Sequence, residues 1–184
     1  MASLTALATP LAGLMVVQRK RLEDARGFFS RLFCADELSA IGFTLPIAQI
    51  NQTLTRRRGA VRGLHFQHPP HAEDKLVSCV RGEIFDVAVD LRRGSPTFLK
   101  WHAEVLSADN SRSLFIPQGF AHGFQALSDD CELIYLHSRP YAAQAEGALH
   151  VNDDALRIVW PLAFTDISPR DSAHPPLTAA FNGI

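Results

Sequence analysis

Between residues 47 and 151 the chain is cut into short β-type runs by glycine, proline, aspartate and asparagine at close intervals, and this punctuation leaves few folds open. Candidate strands are residues 47–53, 60–67, 75–80, 83–91, 97–106, 113–116, 122–126, 132–138 and 148–151. Between them stand turn formers: Arg81-Gly82, Arg93-Gly94-Ser95-Pro96, Ala108-Asp109-Asn110 and Pro117-Gln118-Gly119. So many short strands favour an all-β sandwich or barrel over any fold built on crossover helices. In residues 83–91, Asp86 and Asp90 share one face while Phe85, Val87, Val89 and Leu91 share the other, so one wet face and one dry face are expected. Upstream, Leu14-Met15-Val16-Val17 reads as a first strand and Arg26-Gly27-Phe28-Phe29 as an extended piece at a turn. Residues 35–41 read as a short helix, opened by Asp36 and Glu37 and stopped at Gly42. The Pro-, Ser- and Ala-rich stretch 166–184 is expected to wrap the surface with a loose end.

At 184 residues and 47% hydrophobic content, the chain suffices for one well-filled core, and a single domain over residues 1–184 is expected. Lys+Arg 18 against Asp+Glu 19 leaves a net charge of -1, which argues against a nucleic-acid or anionic-membrane surface but leaves room for a small anionic ligand. Cys34, Cys79 and Cys131 cannot all pair within one chain, so reduced thiols in the cytoplasm are expected. The first 15 residues lack a basic start and are broken by Pro10, which indicates neither a signal peptide nor a membrane span.

The residues that could carry chemistry centre on His65, set in the strand-like run Val61-Arg62-Gly63-Leu64-His65-Phe66-Gln67. His65 and Gln67 point the same way along a strand, and two inward polar groups are more easily explained by a pocket than by costly unsatisfied burial. With Lys75, Tyr135 and Asp171 elsewhere, His65 completes a set suited to removing a proton next to a ketone: a base, a cation for the oxyanion, and an acid to return the proton. A metal site is not expected. His65 and His68, three apart on a strand, point to opposite faces, and Pro69-Pro70 separates both from His71. His68, His71, His102, His137, His150 and His174 are read as surface or supporting histidines.

Motifs along the chain bring a resemblance. Arg26-Gly27-Phe28-Phe29, Arg62-Gly63-Leu64-His65-Phe66-Gln67, Lys75-Leu76-Val77, Asp86-Val87-Ala88-Val89-Asp90-Leu91-Arg92 and Ser95-Pro96-Thr97-Phe98 come first. Leu106-Ser107-Ala108-Asp109-Asn110, Ile116-Pro117-Gln118-Gly119-Phe120-Ala121-His122-Gly123-Phe124, Asn152-Asp153-Asp154, Trp160-Pro161 and Ser168-Pro169-Arg170-Asp171 follow in order. From about Leu14 to Pro175 the chain closely resembles the dTDP-4-dehydrorhamnose 3,5-epimerase family. The resemblance implies a cupin-type antiparallel jelly roll with a few short peripheral helices, usually a homodimer, working without metal or organic cofactor on a dTDP-linked 4-keto-6-deoxyhexose. It implies His65 as base with Asp171 orienting it, Tyr135 as proton donor on the opposite face of the sugar, and Lys75 as enolate stabiliser. It further implies Arg26, Arg62 and Arg170 as partners of the diphosphate, Tyr141 stacked on the thymine, and His122, Glu146, Gln49, Asn51 and Gln67 among the substrate contacts. Three departures bear on the sugar: Ile50 replaces an acid, Arg31 stands where an acid is common, and the stretch 55–59 is one residue longer. A C3-only or C5-only epimerase, a ketoisomerase, and a binding protein without turnover are the competing readings.

Overall fold

The computed structural model describes residues 3–184. In chain order its strands are β1 (Leu4–Ala8), β2 (Met15–Arg19), β3 (Arg21–Asp24), β4 (Gly27–Ser30), β5 (Gln49–Thr55), β6 (Ala60–Gln67) and β7 (Lys75–Arg81). They continue as β8 (Glu83–Asp90), β9 (Trp101–Ser107), β10 (Arg112–Ile116), β11 (Phe120–Ala126), β12 (Cys131–His137), β13 (Glu146–Ala148) and β14 (Asp166–Ile167). Two short helices are described, α1 (Ala35–Ser39) and α2 (Pro169–Ser172). The first sheet runs β1-β2-β10-β7-β12-β5 and the second β13-β6-β11-β8-β9, with β14 added to β6 and β3-β4 forming a separate hairpin. Except for the parallel β14–β6 contact, the pairings are antiparallel, and the fold is the expected all-β, cupin-like jelly roll. No helix among the described residues is long and apolar enough to cross a membrane.

Side-chain alternation builds three apolar layers. Val16, Val77, Leu114, Ile116 and Leu133 of the first sheet meet Ile84, Ala88, Leu106, Phe120 and Phe124 of the second in the sandwich interior. Their strand neighbours Val17, Leu76, Phe115 and Leu136 face the other way and are covered by Leu38 of α1 and by Phe43. On the far side of the second sheet, Val61, Leu64, Phe66, Val87, Val89 and Leu91 lie under Leu149, Val151, Leu156, Trp160, Phe164, Leu177 and Phe181.

That third layer corrects two expectations. β8 has no wet face: Asp86 and Asp90 are both 0% exposed, because the Asp86 side faces the sandwich interior while the Val87 side lies beneath the C-terminal segment. The C-terminus is not loose either. The Ile184 N–H donates to the Leu91 carbonyl at 2.8 Å, and Phe181 stacks on Phe98 with centroids 5.9 Å apart. At residues 148–151 a strand was expected, but β13 ends at Ala148, beyond which only Leu64 and Leu149 exchange backbone bonds. β9 starts at Trp101 rather than residue 97 because Ser95 and Thr97 turn inward to Asp90. The sequence reading had no counterpart for β1, β3 and β14.

Asp90 holds that turn. Its carboxylate accepts from Arg92 Nε at 2.8 Å, Arg92 Nη2 at 2.7 Å, and the Ser95 and Thr97 hydroxyls at 2.6 Å each. Burial pushes its acidity the other way, yet these donors outweigh it and hold the carboxyl at about 2. Against an unfolded value of about 3.9, this contributes roughly 2 kcal/mol at neutral pH, fully present above pH ~4 and lost as pH falls toward ~2. Asp90→Asn is therefore expected to lower unfolding free energy by about 2 kcal/mol at pH 7, with the gap to wild type shrinking below pH ~4. Urea titrations across that range measure it, and a pH-independent gap would contradict the assignment.

Candidate active site

A cleft of about 1250 Å³ opens between the two sheets. β6 forms one wall, and its register jumps: His122 of β11 pairs with His65 but Phe124 pairs with Arg62, so β6 carries one extra residue over that step. The bulge switches the phase of the strand. Val61 and Leu64 share the outer core although three residues apart, and Arg62 and His65 both line the cleft where strict alternation would separate them.

Asp171 reaches His65 from α2. Ser168 caps that helix by accepting the Asp171 N–H at 3.0 Å, and Pro169 occupies its first turn, so a Ser-Pro-Arg-Asp sequence fixes where the carboxylate points. His65 Nε2 lies 2.8 Å from Asp171 Oδ1, and the Gly63 N–H donates to Oδ2 at 3.4 Å. Burial alone would raise the Asp171 carboxyl, but the bond and charge of His65, with the Gly63 and Ser168 contacts, hold it at about 2. The carboxylate is ionised at neutral pH. It selects the tautomer with the proton on Nε2, which leaves the Nδ1 lone pair to accept one.

The opposing wall comes from the first sheet. Tyr135 and His137 of β12 pair with Asn51 and Gln49 of β5, and all four line the cleft. Burial, reinforced by the charge of Asp86, pushes the Tyr135 hydroxyl well above its ordinary value, so it stands as a proton donor. Its ring stacks on His137 and meets His122 edge-on, both with centroids 6.0 Å apart. Gln49 donates to Asn51 Oδ1 at 3.0 Å and accepts the Tyr141 N–H at 3.0 Å.

Charges in the floor are paired. Lys75 Nζ sits 3.1 Å from Glu73 and donates to the His65 carbonyl at 3.3 Å, bridging the two sheets. Gln67 donates to Glu73 at 2.6 Å and accepts the Ala142 N–H at 2.6 Å, so its amide holds the lysine's partner. His122 Nε2 lies 2.7 Å from Asp86 Oδ1, while Asp86 Oδ2 and Thr53 Oγ1 are buried without a partner among the described residues. Burial raises the Asp86 carboxyl against the pull of His122 and Lys75.

At the mouth, Glu146 accepts from Arg170 at 3.2 Å and from the Tyr141 hydroxyl at 2.9 Å. Arg62 donates to Thr55 at 3.0 Å. Of the candidate residues, Arg26 alone stands away from this cleft: it lies at the β3-β4 turn, 90% exposed and bonded to Asp24 at 2.6 Å. The sequence reading missed Glu73, Arg139, Arg56 and Arg57, which line the cleft, and it set His137 aside as surface or supporting although it lines the cleft too. Strand phase from Tyr135 could have found His137. His174, also read as peripheral, brings a ring nitrogen within 4.8 Å of the ligand atoms of His65 and Asp171.

A family model described as dTDP-4-dehydrorhamnose 3,5-epimerase matches residues 8–179. A dTDP-4-dehydrorhamnose 3,5-epimerase of Sinorhizobium fredii is 40% identical over 168 residues, 91% of this chain and 86% of that one. A dTDP-4-dehydrorhamnose 3-epimerase of Streptomyces niveus is 40% identical over 162 residues, 88% of this chain and 78% of that one. Among solved structures, the dTDP-6-deoxy-D-glucose-3,5-epimerase of Legionella pneumophila in complex with dTDP-4-keto-L-rhamnose superposes with a TM-score of 0.88 at 39% identity. That alignment covers 92% of this chain and 90% of that one.

His137 provides a direct test of the cleft's electrostatics. Burial, with the charges of Lys75 and His122, lowers its imidazole to about 4. Its NMR ring signals are expected to stay constant from pH ~5.5 to ~8, through the range where an ordinary histidine titrates. Lys75→Met should move the midpoint upward, and a wild-type midpoint near 6.5 would refute the described surroundings.

Proposed function

The chain belongs to the dTDP-4-dehydrorhamnose 3,5-epimerase family, and from that premise we propose that it inverts C3 and C5 of a dTDP-linked 4-keto-6-deoxyhexose. The protons on both carbons are α to the C4 ketone, so their removal leaves an enolate. We assign His65 Nδ1 as the base, with Asp171 holding the ring and stabilising the imidazolium that forms. Lys75 takes the C4 oxyanion, and in a cleft sheltered from water such a cation lowers the barrier by several kcal/mol. Tyr135 returns a proton to carbon from the other face of the sugar, and the His65 proton passes to solvent. Its phenolate is reprotonated in turn, which closes the cycle. The observation that carries this reading is that His65 and Tyr135 stand on opposing sheets, with Lys75 reaching across between them.

Arg62 and Arg170 at the mouth suit a diphosphate, Tyr141, 58% exposed, offers a face to the base, Glu146 braces both Arg170 and Tyr141, and Gln49, Asn51, Gln67 and His122 line or brace the sugar end. We read the chain as one catalytic domain, placed in the cytoplasm in keeping with its unpaired Cys34, Cys79 and Cys131.

We propose a homodimer, a reading supported by two exposed features. The β3-β4 hairpin and its exit show Leu22, Phe28, Phe29 and Phe33 at 55%, 57%, 67% and 40% exposure, and edge strand β5 shows Ile50 at 62%. An apolar arm and an open sheet edge invite a second copy, and on this reading Arg26 serves the partner's cleft rather than its own.

In deuterated water with dTDP-4-keto-6-deoxyglucose, label is expected at both C3 and C5, and label at C3 alone would favour the 3-epimerase reading. His65→Ala should slow exchange at both carbons by roughly 10²–10⁴-fold, whereas Tyr135→Phe should keep exchange and lose completed inversion. Equal loss in the two variants contradicts the assigned roles. Sedimentation should give a dimer for wild type and a monomer for Phe28→Ser/Phe29→Ser, with Arg26→Ala raising KM in the intact dimer. A monomeric wild type overturns the arm's role.

A further inference from the structure

We propose that His65, Asp171 and His174 form a binding site for a borderline transition-metal ion such as Zn²⁺, and that occupation of this site switches the enzyme off. Their ligand-capable atoms lie within 4.8 Å of one another, the closest pair being His65 Nε2 and Asp171 Oδ1 at 2.8 Å. Tetrahedral zinc with bonds of about 2.0–2.1 Å sets ligand atoms roughly 3.3 Å apart, between those two distances. Two imidazoles and a carboxylate make a three-ligand set of the kind zinc accepts with one position left for water.

His174 is the residue without another explanation. Its Nε2 is buried with no hydrogen-bond partner among the described residues, in a ring set edge-on to His65 with centroids 6.4 Å apart. It follows α2 directly and precedes Pro175-Pro176, which restrict the backbone that presents it. Asp171 is oriented by the Ser168 cap and the Gly63 N–H, the outer support a ligating carboxylate needs. One cation stands in the way. Arg170 places Nη2 3.2 Å from His65 Nε2 and Nε 3.6 Å from Asp171, but it is 57% exposed and tied to Glu146. It can swing toward Glu146 as the metal takes over its role as counter-charge.

A metal on Nε2 displaces the proton that nitrogen shared with Asp171, which moves to Nδ1 or to solvent, and it withdraws electrons from the ring and adds positive charge beside Nδ1. The imidazole then no longer serves as a base. This consequence rests on the assignment of His65 above; the binding itself does not. The experiment therefore reads both on chelator-stripped enzyme: Zn²⁺ calorimetry, and solvent exchange into dTDP-4-keto-6-deoxyglucose, for wild type and His174→Gln. Wild type is expected to bind one zinc per chain, to lose activity about elevenfold at zinc ten times its Kd, and to recover with chelator. His174→Gln should keep metal-free activity and need at least roughly 10-fold more zinc for either signal. Equal zinc affinity in the two proteins, or none in wild type, overturns the site. Zinc binding that depends on His174 but leaves exchange undiminished upholds the site and overturns His65 as the base.

Discussion

The close approach of β6 to β11 at Gly63 and Gly123 is the constraint on which the cleft depends. A Cβ on Gly63 would sit 2.5 Å from the Gly123 Cα, and one on Gly123 would sit 2.6 Å from the Arg62 carbonyl oxygen. Gly63 also has φ +125°, a conformation that L side chains rarely adopt. Only a pair of bare backbones can pass so near, and there β6 accommodates its extra residue. Were the same residues to alternate strictly with no bulge, a strand that buries Val61 in the outer core would also bury His65 there, on the face opposite Arg62. The same feature sets the Gly63 N–H toward Asp171. His65, Asp171 and Arg62 thus owe their placement to one local backbone solution.

The sandwich is apolar at one end and charged at the other, and the charged end carries a cost. Lys75, Glu73, Asp86 and His122 are all nearly inaccessible to water. Taking such groups out of water costs several kcal/mol per ion before their mutual attraction is counted, and apolar side chains of similar size would pack there without that penalty. The pairs Lys75–Glu73 and Asp86–His122 recover part of it, and Gln67 recovers more by fixing Glu73. On the proposed assignment, what the arrangement secures is preorganisation: the ammonium is already in place when charge develops on a substrate oxygen, and no solvent need reorganise around it. Asp86 Oδ2, buried without a partner among the described residues, shows the arrangement is not built for stability alone.

The sequence was most informative where physics is local. Alternation and turn residues located most of the strands, and Ser168-Pro169-Arg170-Asp171 announces its own cap. It was least informative where a second layer decides the outcome. Asp86 and Asp90 look like a wet face because nothing in β8 reveals that one side lies inside a sandwich and the other beneath a segment some 70 residues away. The bulge at Gly63 and Leu64 inverts strand phase, so residue spacing across it misleads. His174 and Arg139 reach their places through loops, where periodicity carries no information. Arg26 marks a different limit. Its motif was legible, but one copy of the chain gives it no cleft to act in.

Charge separation within the cleft completes the argument. The chain is close to neutral, at -1, yet Arg56, Arg57, Arg62, Arg139 and Arg170 line one cleft and outnumber Glu146 and Asp166 beside them, while Glu73 and Asp171 are buried. Low-dielectric walls focus such a field, and on the proposed reading an anionic diphosphate is retained at the rim while the uncharged sugar is the end that enters. Inside, Lys75 is the cation positioned for a carbonyl oxygen. A ketone held by that oxygen presents its two α-carbons on either side of the C4–O axis, at similar depth and with similar access from each face. A base on one sheet and a donor on the other can then serve both carbons after a modest rotation of the ring. On the proposed assignment, two inversions need no second set of catalytic groups, and the choice between one inversion and two rests on whether the pocket walls allow that rotation.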